Sequence, residues 1–168
     1  MNKVKIFTVG GTIDKIYYDS LSEYEVGAPT IEALLNKCNV YFEFSMTSLM
    51  RKDSLDMNEK DRQCILDNIK KCPESHILIT HGTDTMVQTA SALSVIKDKT
   101  IILTGSLQPA IFKDSDAQFN IGTALGALWT AKPGIYIAMN GFVYEWQDVY
   151  KDREKGQFKL KGPESTSC

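Results

Sequence analysis

Histidine is scarce: His76 and His81 are the only two in 168 residues. The four cysteines, Cys38, Cys64, Cys72 and Cys168, include no C-x-x-C pair. So few imidazoles and thiols, so widely spaced, argue against a zinc site, and neither a metal nor any other cofactor is expected. They also leave no convincing histidine-based triad. The thiols are expected to be reduced. Cys64 and Cys72, eight apart on an expected helix, should lie on similar faces and be buried, with Cys168 exposed at the terminus. No apolar run approaches the roughly 20 residues of a membrane span. The opening "MNKVKIFTVGG" holds nothing long enough for a secretory signal, so the expected location is cytoplasmic, with no membrane partner. Excess charge is missing too. A net charge of −2, from 19 basic and 21 acidic residues, offers no basic surface for nucleic acid. There is no repeat, no low-complexity tract and no Pro/Gly linker, so residues 1–168 read as a single domain. A chain of this length buries roughly 70% of its unfolded surface.

What is present is an alternation. Residues 3–9 (KVKIFTV) are apolar and β-rich. Residues 30–38 (TIEALLNKC) open on a threonine cap and carry Ile31, Leu34 and Leu35 at helical spacing. Residues 39–47 (NVYFEFSMT) alternate as a strand. Residues 58–72 are helical, with Ile65, Leu66 and Ile69 on one face and Pro73 after the stop. There follow strand 76–80, helix 84–95, strand 100–104, helix 116–131 and strand 134–139. Strands alternating with helices predict an α/β fold: a doubly wound, mostly parallel sheet with helices on both faces. The continuously apolar short strands fit a sheet covered on both sides.

Polar clusters fall after the strands: Thr12 after the first, Ser54 and Asp56 after the second, and Thr83 and Asp84 after the third. Gly105 and Ser106 follow the fourth and Asn140 the fifth. Open parallel sheets bind ligands along that edge. Turn formers and helix caps also collect in βα turns, so spacing alone leaves a shared site and ordinary turns both open.

Within "IFTVGGTID" the glycines Gly10 and Gly11 allow a sharp turn and leave amides open to a ligand, and Thr12 could attack a carbonyl carbon. A simple cap explains a lone "GGT" equally well. A dinucleotide fingerprint fails for want of a third glycine at G-x-G-x-x-G spacing. Residues 13–29 look like a long loop with Tyr17, Tyr18 and Tyr24, the kind that serves as a mobile lid. In "ITHGTDTM", His81 could merely orient the loop. A hydroxyl needs a base. A desolvated lysine could act as one, positioned by Asp84 beside Thr83. Lys151, close to the last expected strand, is the candidate if that strand lies next to the third, although it sits in a charged run.

"TVGGTI" with Thr12 and "THGTDTM" with Thr83 and Asp84 resemble the two signatures of the bacterial-type L-asparaginases. "YEVG" (Tyr24 to Gly27) is similar to that family's lid, and "SLDMN" (Ser54 to Asn58) to its substrate loop. "LTGSLQP", "SDAQFNIGTAL" and "MNGFVYEWQDVYK", which ends at Lys151, extend the likeness to about residues 3–163. The resemblance implies a threonine amidohydrolase that converts L-asparagine to L-aspartate and ammonia, with minor glutaminase activity allowed. It implies Thr12 as nucleophile with Tyr24 on the lid, and Thr83, Lys151 and Asp84 as a second polar triad. Substrate contacts would come from Gly11, Ser54, Leu55, Asp56, Gly82, Thr83 and Asp84, with Asp84 on the α-amino group and Ser54 on the α-carboxylate. Backbone amides after strands one and three would stabilise the oxyanion.

Two departures stand out. The family usually continues into a smaller second domain, expected here to be absent, so the chain looks like a short-chain member. Leu55 stands where the family commonly has a glutamine, and leucine has no side-chain hydrogen bond to offer. Two function classes follow: a short asparaginase, or a catalytically weak amino-acid or amide-binding module. Self-association into a homodimer or higher oligomer is expected, with Phe119, Ile121, Leu125, Leu128 and Trp129 of segment 116–131 as the candidate interface.

Overall fold

The computed structural model describes residues 3–18 and 23–162. In chain order its strands and helices are β1 (Val4–Gly10), β2 (Lys15–Tyr18), β3 (Glu23–Val26), α1 (Ile31–Lys37), β4 (Phe44–Lys52), α2 (Glu59–Lys71) and β5 (His76–Thr80). Then come α3 (Met86–Ala92), β6 (Thr100–Thr104), α4 (Ala117–Leu128), β7 (Gly134–Met139), β8 (Phe142–Glu145), β9 (Val149–Asp152) and β10 (Gln157–Leu160). Single 3-10 turns begin at Thr12, Ser54, Thr83 and Trp146.

Six strands form the central sheet in the order β4-β1-β5-β6-β7-β8. The first five run parallel, and β8 returns antiparallel at the edge. Side chains alternate between the faces, as a pleated strand requires. Phe7, Ile77, Ile79, Ile101 and Leu103 pack under α2 and α3 with Ile65, Ile69, Met86 and Leu93. Val4, Ile6, Leu78, Ile102 and Ala138 pack under α1 and α4 with Ile31, Leu35, Ile121 and Leu128. With helices on both faces, no central strand has a wet side, which is why these strands read as unbroken apolar runs. The expected doubly wound sheet is therefore observed.

Helix α2 starts where its sequence provides a reciprocal cap. Asn58 Oδ1 accepts from the Lys60 and Asp61 amides at 2.9 and 3.2 Å, and Asp61 Oδ2 accepts from the Asn58 amide at 3.0 Å.

Five expectations are corrected. The second strand lies at Phe44–Lys52, not 39–47. Asn39 takes a left-handed turn at φ 49°, and the alternation after it reflects Phe42 packing inward on Trp129 while Tyr41 faces solvent. Within residues 13–29 the described residues do not form an irregular loop. β2 and β3 pair as an antiparallel hairpin, Lys15 opposite Val26 and Tyr17 opposite Tyr24. Cys64 is exposed and Cys72 half-buried, because eight residues at about 100° each leave the two roughly 80° apart around the helix. The last expected strand, β7, does not lie beside β5, since β6 separates them. The expected helix 84–95 is shorter, a 3-10 turn at Thr83–Thr85 followed by α3. Cys168 falls outside the described residues.

Candidate active site

From β1 the chain crosses to β4 on one side, then returns to β5 on the other side of β1. The connections diverge there and leave a crevice beyond the carboxyl ends of β1 and β5. The turn after β1 brings Gly11 and Thr12 to it, and the turn after β5 brings Gly82, Thr83 and Asp84.

The turns are packed against each other. The Gly11 amide donates to Lys52 O at 2.9 Å, and its α-carbon faces the backbone of Gly82 so closely that a Cβ would collide with it. Gly11 also sits at φ 91°, a conformation L side chains rarely adopt. A Cβ on Gly82 would fall 2.7 Å from Ser54 Oγ. Thr85 Oγ1 donates to Ser54 O at 2.7 Å. The loops after β1, β4 and β5 thus form one contiguous floor, and its two glycines cannot be enlarged.

Lys151 reaches this floor from outside the central sheet. It belongs to β9, which pairs with β10 in a separate two-stranded ribbon, Lys151 opposite Phe158. Its Nζ donates to Thr83 Oγ1 at 2.7 Å and to Asp84 Oδ1 at 2.7 Å. The lysine side chain is only 12% exposed and Asp84 31%, so the pair is shielded from bulk water more than a surface ion pair. Arg153 adds a second cation: its Nη2 donates to Asp84 O at 3.4 Å and its Nε stands 3.8 Å from Asp84 Oδ1. Sequence reasoning passed over Arg153, which follows β9 in the turn before β10, where nothing in the local pattern marks it. A cavity of about 610 Å³ opens behind this bridge, lined by Val87, Trp146, Tyr150 and Arg153 among others.

His81 is completely buried behind the turn. Its Nδ1 lies 2.7 Å from Gly82 O and its Nε2 2.7 Å from Thr89 Oγ1. A carbonyl only accepts, so Nδ1 carries the proton, and Nε2 accepts from the Thr89 hydroxyl. Burial holds the ring neutral, with its pKa lowered to about 4. The ring is therefore hydrogen-bonded to the Gly82 peptide from behind the turn.

The remaining candidates are more dispersed. Thr12 is half-buried at the start of its 3-10 turn. Ser54 is buried, while Leu55 and Asp56 are exposed on the same turn. Tyr24 is half-exposed on β3, and its ring packs on Tyr17 at 5.4 Å and Phe112 at 6.2 Å rather than on the Lys151 cluster. Asp53, also passed over, accepts the Leu55 amide at 3.1 Å and pairs with Lys15 at 2.8 Å. Burial would raise its pKa, but the Lys15 ammonium, the Leu55 amide and the more distant Lys151 charge outweigh that and hold it below the ordinary carboxylate value. Among the described residues, no three His, Cys, Asp or Glu side chains converge to hold a metal.

Residues 3–164 match the model of the family described as asparaginase, N-terminal. The chain belongs to the asparaginase family. A glutaminase-asparaginase of Acinetobacter glutaminasificans is 30% identical over 165 residues, 89% of this chain and 50% of that relative. L-asparaginase I of Vibrio cholerae superposes with a TM-score of 0.84 at 27% identity, over 95% of this chain and 51% of that one. The thermostable L-asparaginase of Thermococcus kodakarensis superposes at 0.81 and 26% identity, over 94% and 51%. The chain thus spans about half the length of these relatives. The family's fold agrees with the parallel sheet and helices described above.

Proposed function

We propose that this asparaginase-family domain hydrolyses the side-chain amide of L-asparagine, giving L-aspartate and ammonia. The observation that carries the reading is the pair of 2.7 Å bonds from Lys151 to Thr83 and Asp84 beside the crevice into which the Thr12 turn opens. In this reading Thr12 Oγ attacks the amide carbon, and the oxygen that gains charge is held by backbone amides of the Gly11 and Gly82 turns. The amide nitrogen leaves as ammonia after taking up a proton. The resulting threonine ester is cleaved by water bound at Thr83, whose hydroxyl the Lys151 amine contacts. Asp84 accepts the substrate's α-ammonium and also orients Lys151. The buried Ser54 faces the α-carboxylate, and Gly11, Leu55, Asp56 and Gly82 shape its surroundings. Tyr24 would reach Thr12 by bending of the β2–β3 hairpin above its base, which stays docked. Self-association and a cytoplasmic location belong to the same proposal; free thiols at Cys38, Cys64 and Cys72 support the second. Neither a metal nor another cofactor enters the chemistry.

The test is release of ammonia from asparagine by the purified chain, with aspartate appearing in equal amount. A chain that binds aspartate yet releases no ammonia would leave only the reading of an amino-acid-binding module.

A further inference from the structure

The turn that carries Ser54 and the hairpin that carries Tyr24 are fastened to each other through one carboxylate. Asp53 Oδ1 accepts the Leu55 amide at 3.1 Å, which caps the Ser54–Asp56 turn. Its Oδ2 lies 2.8 Å from Lys15 Nζ, on the first residue of β2. Both partners are mostly shielded, with side-chain exposures of 30% for Asp53 and 25% for Lys15. A second fastening, next to Lys15 at the same end of the hairpin, is of a different kind. Gly27 donates its amide to Asp14 O at 2.8 Å, and buried Asp14 accepts from the Thr30 amide and hydroxyl, both at 2.9 Å. The base of the hairpin is therefore tied to Thr30 by a buried network through Asp14, whereas its side-chain tie to the Ser54 turn is the Lys15–Asp53 ion pair.

We propose that Lys15 and Asp53 are a positioning pair, which holds the hairpin in register with the Ser54 turn and so sets the affinity of the site for its amino-acid ligand. This rests on the functional reading above. Neither side chain needs to touch the ligand. Without the pair, the hairpin samples positions displaced from the crevice, and ligand binding must first select the docked one. Apparent affinity falls by the docked fraction, whereas turnover from the docked complex is unchanged. A half-shielded ion pair of this kind is worth about a twofold to fivefold change.

The experiment compares wild type with Lys15→Met, Lys15→Arg and Asp53→Asn. The amide side chain of Asp53→Asn retains an oxygen for the Leu55 N–H, so this variant removes the pairing charge and keeps the cap. Lys15→Met and Asp53→Asn should each raise KM for asparagine, and Kd for aspartate, about twofold to fivefold, with kcat within about twofold of wild type. Lys15→Arg should restore KM. Salt at about 0.5 M should raise the wild-type KM towards that of the variants and leave theirs unmoved. Amide hydrogen exchange in β2 and β3 should accelerate in the two unpaired variants and not in Lys15→Arg. Wild-type KM, or wild-type exchange, in both unpaired variants overturns the proposal, as does a loss confined to kcat and thermal stability. If the wild-type chain proves unable to hydrolyse asparagine, the functional reading fails. The exchange comparison then still decides whether the pair holds the hairpin.

Discussion

Thr83, Asp84 and Lys151 form a compact polar cluster beside the crevice, and the residues around them make distinct predictions possible. Replacing Lys151 with Met keeps the length of the stem and removes both 2.7 Å bonds. We predict a fall in kcat of roughly a hundredfold or more, the usual scale for a lost proton-transfer or activating group. Thr12→Val is nearly isosteric and should abolish ammonia release with an unchanged circular dichroism spectrum; a variant retaining most of its turnover would remove Thr12 from the chemistry. His81 predicts a pH effect on stability. In the fold its pKa is lowered to about 4 from 6.5, so between those values the unfolded chain takes up a proton that the folded chain refuses. The stability contribution is complete above about pH 6.5 and is lost as pH falls towards 4, by about 3 kcal/mol in all. Urea unfolding at about pH 7 and about pH 5 should show the loss in wild type, and His81→Gln should show less of it. The identity of these residues was legible in "THGTDTM", because turn chemistry leaves a mark in sequence. The approach of Lys151 was not legible as a distance: nothing local tells a lysine in "QDVYKDREK" from its solvated neighbours. Arg153 and Lys15 stayed hidden for the same reason.

At the scale of elements, the central strands and helices were readable where burial on two faces makes a strand continuously apolar, as in β5 and β6. The β2–β3 hairpin was not, since a two-stranded ribbon with exposed Tyr17 and Tyr24 lacks that pattern. β4 was misplaced because Phe42 packs inward from a turn. The hairpin is nonetheless the element best placed to act as a lid. We predict that aspartate slows amide exchange in β2 and β3, and equal exchange with and without ligand would count against closure. A lid over a small crevice should also penalise an added methylene. Glutamine is expected to have a specificity constant about 10–200-fold below that of asparagine, measured as ammonia release from each amide under matched conditions.

For the whole molecule, the apolar side chains of α4 divide. Ile121, Leu125 and Leu128 face the sheet, whereas Phe119 is 63% and Trp129 40% exposed. Phe119 lies against Gly141, next to Phe142 on the edge strand β8, itself 63% exposed. Aromatic rings left open on a helix and an adjoining sheet edge fit an interface between copies of the chain. Light scattering at micromolar concentration should give twice the chain mass or more, and Phe119→Lys with Phe142→Lys should return it to the single-chain value. A stable dimer should bury at least about 1,200 Å² in total. The ribbon that delivers Lys151 has a different consequence. Among the described residues β9 finds its strand partner only in β10, so a nascent chain exposes the Thr83 hydroxyl long before the amine that meets it has a scaffold. Chains emerge from the ribosome amino-terminus first. Any co-translational intermediate that stops short of β10 therefore carries the floor of the crevice without the strand that pairs with the lysine's own, and the ribbon that holds the cluster is complete only after that late segment is synthesised.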